Sequence, residues 1–218
     1  MTISIVLENT SHPGNIGAAA RAMYTMGFEQ LILINPCPIT EDSYTRARLG
    51  KNIIDNAVIA TDLNCLLPFQ KIYGTSCRHR SLHLPLLSSK GLSSSIHQNE
   101  KSKTAVLFGN ETNGLSNEML ALCQAIIEIP THKQSSLNLS HAVQLICYEL
   151  SNIRTLATNS KVASLATRLN LLSQVEKKHQ DSGLILPHTL DRLRVIINKA
   201  ELSDDELKLL FAFFLKNT

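Results

Sequence analysis

The 218-residue chain has no tryptophan, and its aromatic residues make up only 5%. A nucleic-acid surface built mainly on bases stacked over aromatic rings is therefore excluded as the leading mode. Its cysteines are odd in number (Cys37, Cys65, Cys77, Cys123 and Cys147) and form no C-x-x-C pair. That argues against a disulfide framework or a structural zinc site, and for a reducing cytoplasm. The opening MTISIVLEN lacks a basic segment followed by an apolar one, so no signal peptide is expected. No apolar run approaches a membrane span in length. Charge of one sign is also lacking: 21 Lys and Arg face 18 Asp and Glu, a net charge of +3, so any contact with nucleic acid must use a local basic face.

Several catalytic signatures are missing as well. The glycines match neither the dinucleotide fingerprint G-x-G-x-x-G nor the phosphate loop G-x-x-x-x-G-K-[ST]. Ser135 or Ser136 with His141 could suggest hydrolysis, yet there is no G-x-S-x-G elbow. His12, His79 and His132 read as surface side chains, and no metal is expected. Cys77 has no evident paired base and reads as a small loop-lining residue.

What is present is an alternation of strand and helix signals. Ile3–Leu7, Leu31–Ile34, Lys71–Gly74, Thr104–Phe108 and Ala125–Ile129 are short apolar runs and predict five strands. Helices are expected over Asn15–Gly27, Ser43–Ala57 and Asp62–Leu67, after the Ser116 cap, and from Ser140 onward. Ser88–Lys103, rich in Ser, Lys and Asn, reads as a mobile surface loop. This alternation implies an α/β fold with a mainly parallel sheet. From about Asn159 the pattern changes to three helices, over Lys161–Gln180, Pro187–Lys199 and Ser203–Leu215. The division expected is 1–158 for the α/β part and 159–218 for a small helical extension. Neither part is strongly charged, with 12 basic against 11 acidic residues in the first and 9 against 7 in the second.

Four polar loops follow strands and could meet at one edge of such a sheet, where open α/β folds bind ligands. The first runs from Asn9 to Arg21, where Gly14 and Gly17 would let the backbone approach a ligand closely. The second, Thr75-Ser76-Cys77-Arg78-His79-Arg80, carries two arginine forks suited to phosphate. The third, Gly109–Leu115, holds Glu111 as a candidate lone acidic side chain near the site. The fourth is Ser135-Ser136-Leu137-Asn138 at the start of a helix.

In this order, GNIGAAARAM (14–23), TSCRHR (75–80), LFGNETNGLS (107–116) and the pattern I-P-x-x-x-x-S-S-L-N-L-S-x-A-V (129–143) resemble the motifs of the SPOUT-class (TrmH/SpoU) RNA 2′-O-ribose methyltransferases. The chain is especially similar to the TrmJ branch, which methylates the ribose of nucleotide 32, cytidine or uridine, in the tRNA anticodon loop. Asn110 stands where that branch often carries Arg.

The resemblance implies a SPOUT fold with a deep trefoil knot, a homodimer, S-adenosylmethionine bound in the knotted loops, and tRNA as partner. Its cofactor contacts fall on Thr75, Ser76, Cys77, Gly109, Ile129, Ser136 and Leu137. Its catalytic candidates are Asn15, Arg21, Ser135 or Ser136, and Asn138; Arg78, Arg80 and Glu111 are expected to meet RNA. Methylation of another tRNA ribose or of an rRNA ribose, and a catalytically silent RNA-binding paralogue, stay open as alternatives. A Rossmann-type nucleotide enzyme is disfavoured by the missing glycine fingerprint.

Overall fold

A computed structural model describes residues 2–77, 84–90, 92–96, 102–133, 136–151, 162–179 and 187–216 of the chain. Seven strands are found among them: β1 (Thr2–Glu8), β2 (Gln30–Ile34), β3 (Val58–Ala60), β4 (Lys71–Thr75), β5 (Leu86–Ser88), β6 (Lys103–Phe108) and β7 (Ala125–Glu128). They form one sheet in the order β3-β2-β1-β6-β4-β7-β5, and every neighbouring pair is parallel. Late strands fill interior places: β6 enters between β1 and β4, and β7 between β4 and β5.

Helices cover both faces, so the central strands read as continuous apolar runs. Alternation along the strands sorts the side chains. Ile3, Ile5, Leu7, Val106, Phe108 and Ile127 pack with α1 (Pro13–Thr25) and α6 (Leu139–Ser151). Val6, Ile32, Ile72, Leu107 and Ile126 pack on the other side with Leu66, Phe69 and Met119 of α5 (Asn117–Ala121).

The first helix begins at Pro13, with the Nδ1 of His12 accepting the Gly14 N–H at 3.0 Å, so His12 is a helix cap. It ends where Gly27 takes φ +78° and the Phe28 N–H reaches back to the Met23 carbonyl.

Three expectations about elements are corrected. The helix expected over Ser43–Ala57 is broken into α2 (Glu41–Ala47), a short 3-10 turn and α3 (Lys51–Asp55), with Arg48 at φ +54°. The break seats Gly50 against the backbone of α1, where a Cβ would lie 2.7 Å from the Ala20 carbonyl oxygen. Strands β3 and β5 have only three residues each, too short to show a period. The expected surface loop Ser88–Lys103 contains the end of β5 and the single turn α4 (Leu92–Ser95), and Leu92 and Ile96 are buried. Burying two such side chains contributes roughly 1.5–3 kcal/mol each to seating the turn at 92–96, while residues 91 and 97–101 of the expected loop lie outside the described residues.

The C-terminal helices α7 (Leu165–His179), α8 (Pro187–Lys199) and α9 (Asp204–Lys216) have a small core of Leu171, Leu172, Val175, Ile197 and Leu207. They are also fastened to the sheet. Leu165 and Val195 join the cluster around Ile72, and the Leu165 N–H donates to the Phe69 carbonyl at 2.8 Å. The Lys71 ammonium, 8% exposed, pairs with Glu201 at 3.0 Å. Arg168 is fully buried and donates to the Gln70 carbonyl; burial pulls its guanidinium down to about 10, against the opposing pull of the Glu201 charge. The knot implied by the resemblance depends on a chain path that includes 78–83 and 134–135, outside the described residues.

Gly17 and Gly14 provide a test of this packing. A Cβ on Gly17 would collide with the backbone of Ser43 in α2, whereas one on Gly14 meets only the flexible ends of Arg46 and Asp42. Gly17→Ala is expected to destabilise by about 1–3 kcal/mol, since this clash outweighs the ~1 kcal/mol that alanine gains in a helix. Gly14→Ala should melt within a few degrees of the parent. Equal melting temperatures for the two variants would contradict the close approach of α1 to α2.

Candidate functional site

Because every strand runs the same way, the loops after β1, β4, β6 and β7 emerge at one edge. A cleft opens there, and its lining includes Thr75, Ser76, Cys77, Gly109, Ile129, Ser136 and Leu137, all seven positions that the resemblance assigned to the cofactor. Phe108, Ile127, Leu139 and Ala142 add apolar wall, and among the described lining residues Glu111 is the only charged side chain. A second cleft beside it is lined by Cys77 and the stretch from Glu128 to Lys133, including His132.

The loop after β6 folds back sharply. Asn110 and Gly114 form an antiparallel bridge, Gly114 takes φ +70°, and a Cβ on Gly109 would strike the backbone of Gly114 and Leu115. Only glycine fits at 109. The Asn110 Oδ1 accepts the Thr112 N–H at 2.8 Å, and its Nδ2 donates to the Asn9 carbonyl at 2.7 Å. Asn110 therefore braces two loops to each other. Glu8, buried at the end of β1, accepts from the Ser116 N–H at 3.0 Å and the Ser116 hydroxyl at 2.7 Å. The Ser116 hydroxyl oxygen in turn caps α5 by accepting the Met119 N–H.

A chain of hydrogen bonds joins the first, third and fourth loops. The Glu111 Oε2 accepts the Ser11 N–H at 3.0 Å and the Ser11 hydroxyl at 2.7 Å, and its Oε1 accepts the Asn15 Nδ2–H at 2.8 Å. The Asn15 Oδ1 accepts from the Asn138 Nδ2 at 3.2 Å. The Asn138 Oδ1 accepts the Ser140 N–H and hydroxyl at 2.9 and 2.7 Å. Partial burial pushes the Glu111 carboxyl upward, but the bonds from Asn15 and from the Ser11 side chain and backbone outweigh it. The group titrates below the ordinary glutamate range.

Asn15, Asn138 and Glu111 are thus brought together, with Ser136 in the cleft wall. Arg21 is not: it lies exposed on α1, outside the cleft lining, with no ion pair to a described residue. Asn15 to Arg21 is six residues, about 9 Å along the helix and well round its circumference. Gly17 serves the packing of α1 on α2, where the sequence suggested approach to a ligand. Arg78, Arg80 and Ser135 lie outside the described residues, as does His79. Among the described residues no group of three or more His, Cys, Asp or Glu could hold a metal ion, and no helix is long and apolar enough to cross a membrane. Sequence reasoning missed Ser11 and Ser140, because their partners Glu111 and Asn138 reveal their role only through contact in space.

Comparison with known proteins bears on this site. Residues 2–148 match the model of the SpoU rRNA Methylase family. The chain is 34% identical to the tRNA (cytidine/uridine/adenosine-2′-O-)-methyltransferase TrmJ of Pseudomonas aeruginosa, over 95% of this chain and 90% of that protein. It is 39% identical to an uncharacterized tRNA/rRNA methyltransferase of Haemophilus influenzae, over 81% and 70% of the two chains. The crystal structure of TrmJ from Z. mobilis ZM4 superposes with a TM-score of 0.88 at 25% identity, over 99% of each chain. The SpoU methyltransferase AviRb of Streptomyces viridochromogenes, solved in complex with AdoMet, shares the fold with a TM-score of 0.52 at 24% identity, over 69% of this chain and 59% of that one.

The Glu111 bonds predict an acid-sensitive contribution to stability. The folded carboxyl titrates below its unfolded value, so the contribution is complete above the unfolded pKa of about 4.3 and fades as pH falls through the lower folded value. The melting-temperature gap between the parent and Glu111→Gln should be present at pH 7 and shrink below about pH 4. Ser11→Ala removes one donor, so its own loss should begin at a higher pH. A gap that stays constant down to pH 3 would rule this out.

Proposed function

Because the chain belongs to the SpoU methylase family and has the SPOUT fold, we propose that it uses S-adenosylmethionine to methylate the 2′-hydroxyl of a tRNA ribose. The target proposed is nucleotide 32, cytidine or uridine, in the anticodon loop, by likeness to the TrmJ branch. One observation carries the reading: the cleft gathers all seven cofactor positions, and Asn15 and Asn138 are hydrogen-bonded to each other, with Leu137 and Leu139 on either side of Asn138 lining the cleft. A cytoplasmic setting belongs to the same proposal.

The lining fits an adenosyl group. Gly109 lines the cleft without a side chain of its own, while Ile127, Ile129 and Leu139 offer apolar contact to a purine. Bound there, S-adenosylmethionine supplies a sulfonium methyl group whose transfer leaves a neutral thioether, so little acid catalysis is needed. The protein's own task is then to align the ribose hydroxyl and help it lose its proton. Asn15, Asn138 and Ser135 or Ser136 are the candidates for holding the hydroxyl. Arg21 serves as an orienting and charge-stabilising group, since a guanidinium with a pKa above about 12 is a poor base. The proton leaves to water or phosphate. Arg78 and Arg80 are proposed to grip the neighbouring phosphate.

The cleft is incomplete in one chain if Arg21 takes part. We therefore propose a symmetric homodimer that covers the outer sides of α1 and α6, where Tyr24 is 46% and Leu145 is 42% exposed. Such a dimer would set the Arg21 of one protomer near the cleft of its partner. Residues 159–218 carry none of the four motifs and are assigned to holding tRNA, with the exposed Lys177 and Arg192 as contacts.

Single-turnover methyl transfer tests the reading. Arg21→Ala should keep the melting temperature and the affinity for S-adenosylmethionine while lowering the rate at least ~10²-fold. Arg21→Lys should also fail, because an ammonium cannot reproduce a two-pronged contact. Calorimetry that found NAD binding and no S-adenosylmethionine binding would sink the cofactor assignment. Light scattering that gave an active monomer would sink the dimer.

A separate test addresses the helical extension. Because Leu165 and Val195 belong to the sheet's core, truncation would strip that core, and charge reversal is the cleaner probe. Lys177→Glu with Arg192→Glu should weaken tRNA binding severalfold and leave cofactor binding unchanged. Unaltered tRNA affinity would remove the extension from the RNA surface.

A further inference from the structure

Glu111 lines the cleft as a carboxylate, yet both of its oxygens are occupied: Oε2 by Ser11 and Oε1 by Asn15. From it the hydrogen bonds run in one direction. Asn15 donates to Glu111, Asn138 donates to Asn15, and Ser140 donates to Asn138. The direction is forced at both ends. An ionised carboxylate can only accept and a backbone N–H can only donate, so a flip of either amide would set donor against donor or acceptor against acceptor.

We propose that Glu111 is a positioning residue for the methyl transfer: anchored by Ser11, it fixes the orientation of the Asn15 and Asn138 amides at the cleft rim and does not itself grip RNA. The inference rests on the activity proposed above. Each amide –NH2 has a second hydrogen beyond the one used in the relay. Two such donors held in one orientation are what a ribose oxygen or an adjacent phosphate oxygen requires. The relay also ties together three segments far apart in the chain, with separations of 100, 96 and 123 residues. The loop that shapes the cofactor cleft thereby sets the geometry of the loop that meets the ribose.

A contact to RNA, a mere structural staple and a positioning role leave different marks. Three measurements separate them: the single-turnover rate at saturating tRNA and S-adenosylmethionine, tRNA affinity by fluorescence anisotropy, and S-adenosylhomocysteine affinity by calorimetry. Glu111→Gln keeps the size but provides one oxygen for three donors. It should lower the saturated rate roughly 10- to 100-fold while both affinities stay within about threefold. Ser11→Ala, whose side chain lies outside the cleft lining, should lower the rate by a smaller factor of about three to ten and serves if Glu111→Gln folds poorly. Glu111 acts through Asn15, so Glu111→Gln combined with Asn15→Ala should be no more than about twofold slower than Asn15→Ala alone.

Tenfold weaker tRNA binding with a preserved saturated rate would make Glu111 an RNA contact and overturn the proposal. Multiplying effects in the double variant would overturn it too. So would a lowered melting temperature with a normal rate, which is the mark of a staple. A parent protein that binds S-adenosylmethionine but methylates no tRNA refutes the proposed activity, and this inference falls with it.

Discussion

Seven strands that all run in one direction leave each strand-to-helix loop on the same edge of the sheet, and the chemistry of the chain depends on that constraint. Parallel pairing requires long crossovers, and the helices that make them cover both faces. The loops that remain are short, polar and adjacent. Thr75–Cys77, Gly109–Gly114, and Ile129, Thr131, Ser136 and Leu137 come from positions far apart in the chain and still line one cleft. The interior places of β6 and β7 draw the cleft-forming loops of those strands between elements laid down earlier.

Within that edge, polar side chains act mainly on other loops. Glu8 holds Ser116, Asn110 braces Asn9, and Glu111 gathers Ser11 and Asn15. A buried or half-buried carboxylate left without donors is costly. Each of these acids has two or three, and each bond fixes one loop against its neighbour. On the far side, the pair Lys71–Glu201 and the buried Arg168 tie the helical extension to the start of β4, the strand whose other end is Thr75. The same strand therefore touches the extension at its beginning and the cleft at its end.

Glycine is used here for closeness as much as for turning. Gly17 lets α1 lie on the backbone of Ser43, Gly50 lets the turn after α2 lie on Ala20, and Gly109 lets its own loop close. The run GNIGAAA looks like a ligand-binding stretch because small residues suit both purposes. Backbone packing explains Gly17 here, and Asn15 in the same run instead reaches across to Glu111 of the third loop.

The sequence by itself determined the α/β class, the long strands, most helix limits and the identity of the cleft loops, because those follow from local period, caps and motif residues. β1, β2, β6 and β7 were legible as apolar runs, and the seven motif positions that line the cleft were legible as motif members. The tertiary structure alone decided the rest. A three-residue strand such as β3 or β5 has no readable period and exists through its pairing. The break, at Arg48, of the helix expected over 43–57 follows from where Gly50 must sit against α1. The role of Glu111 depends on donors about a hundred residues away, and the distance of Arg21 from the cleft depends on how a helix turns. Sequence patterns report what a residue does to its near neighbours; contacts across the fold have no local period to report them.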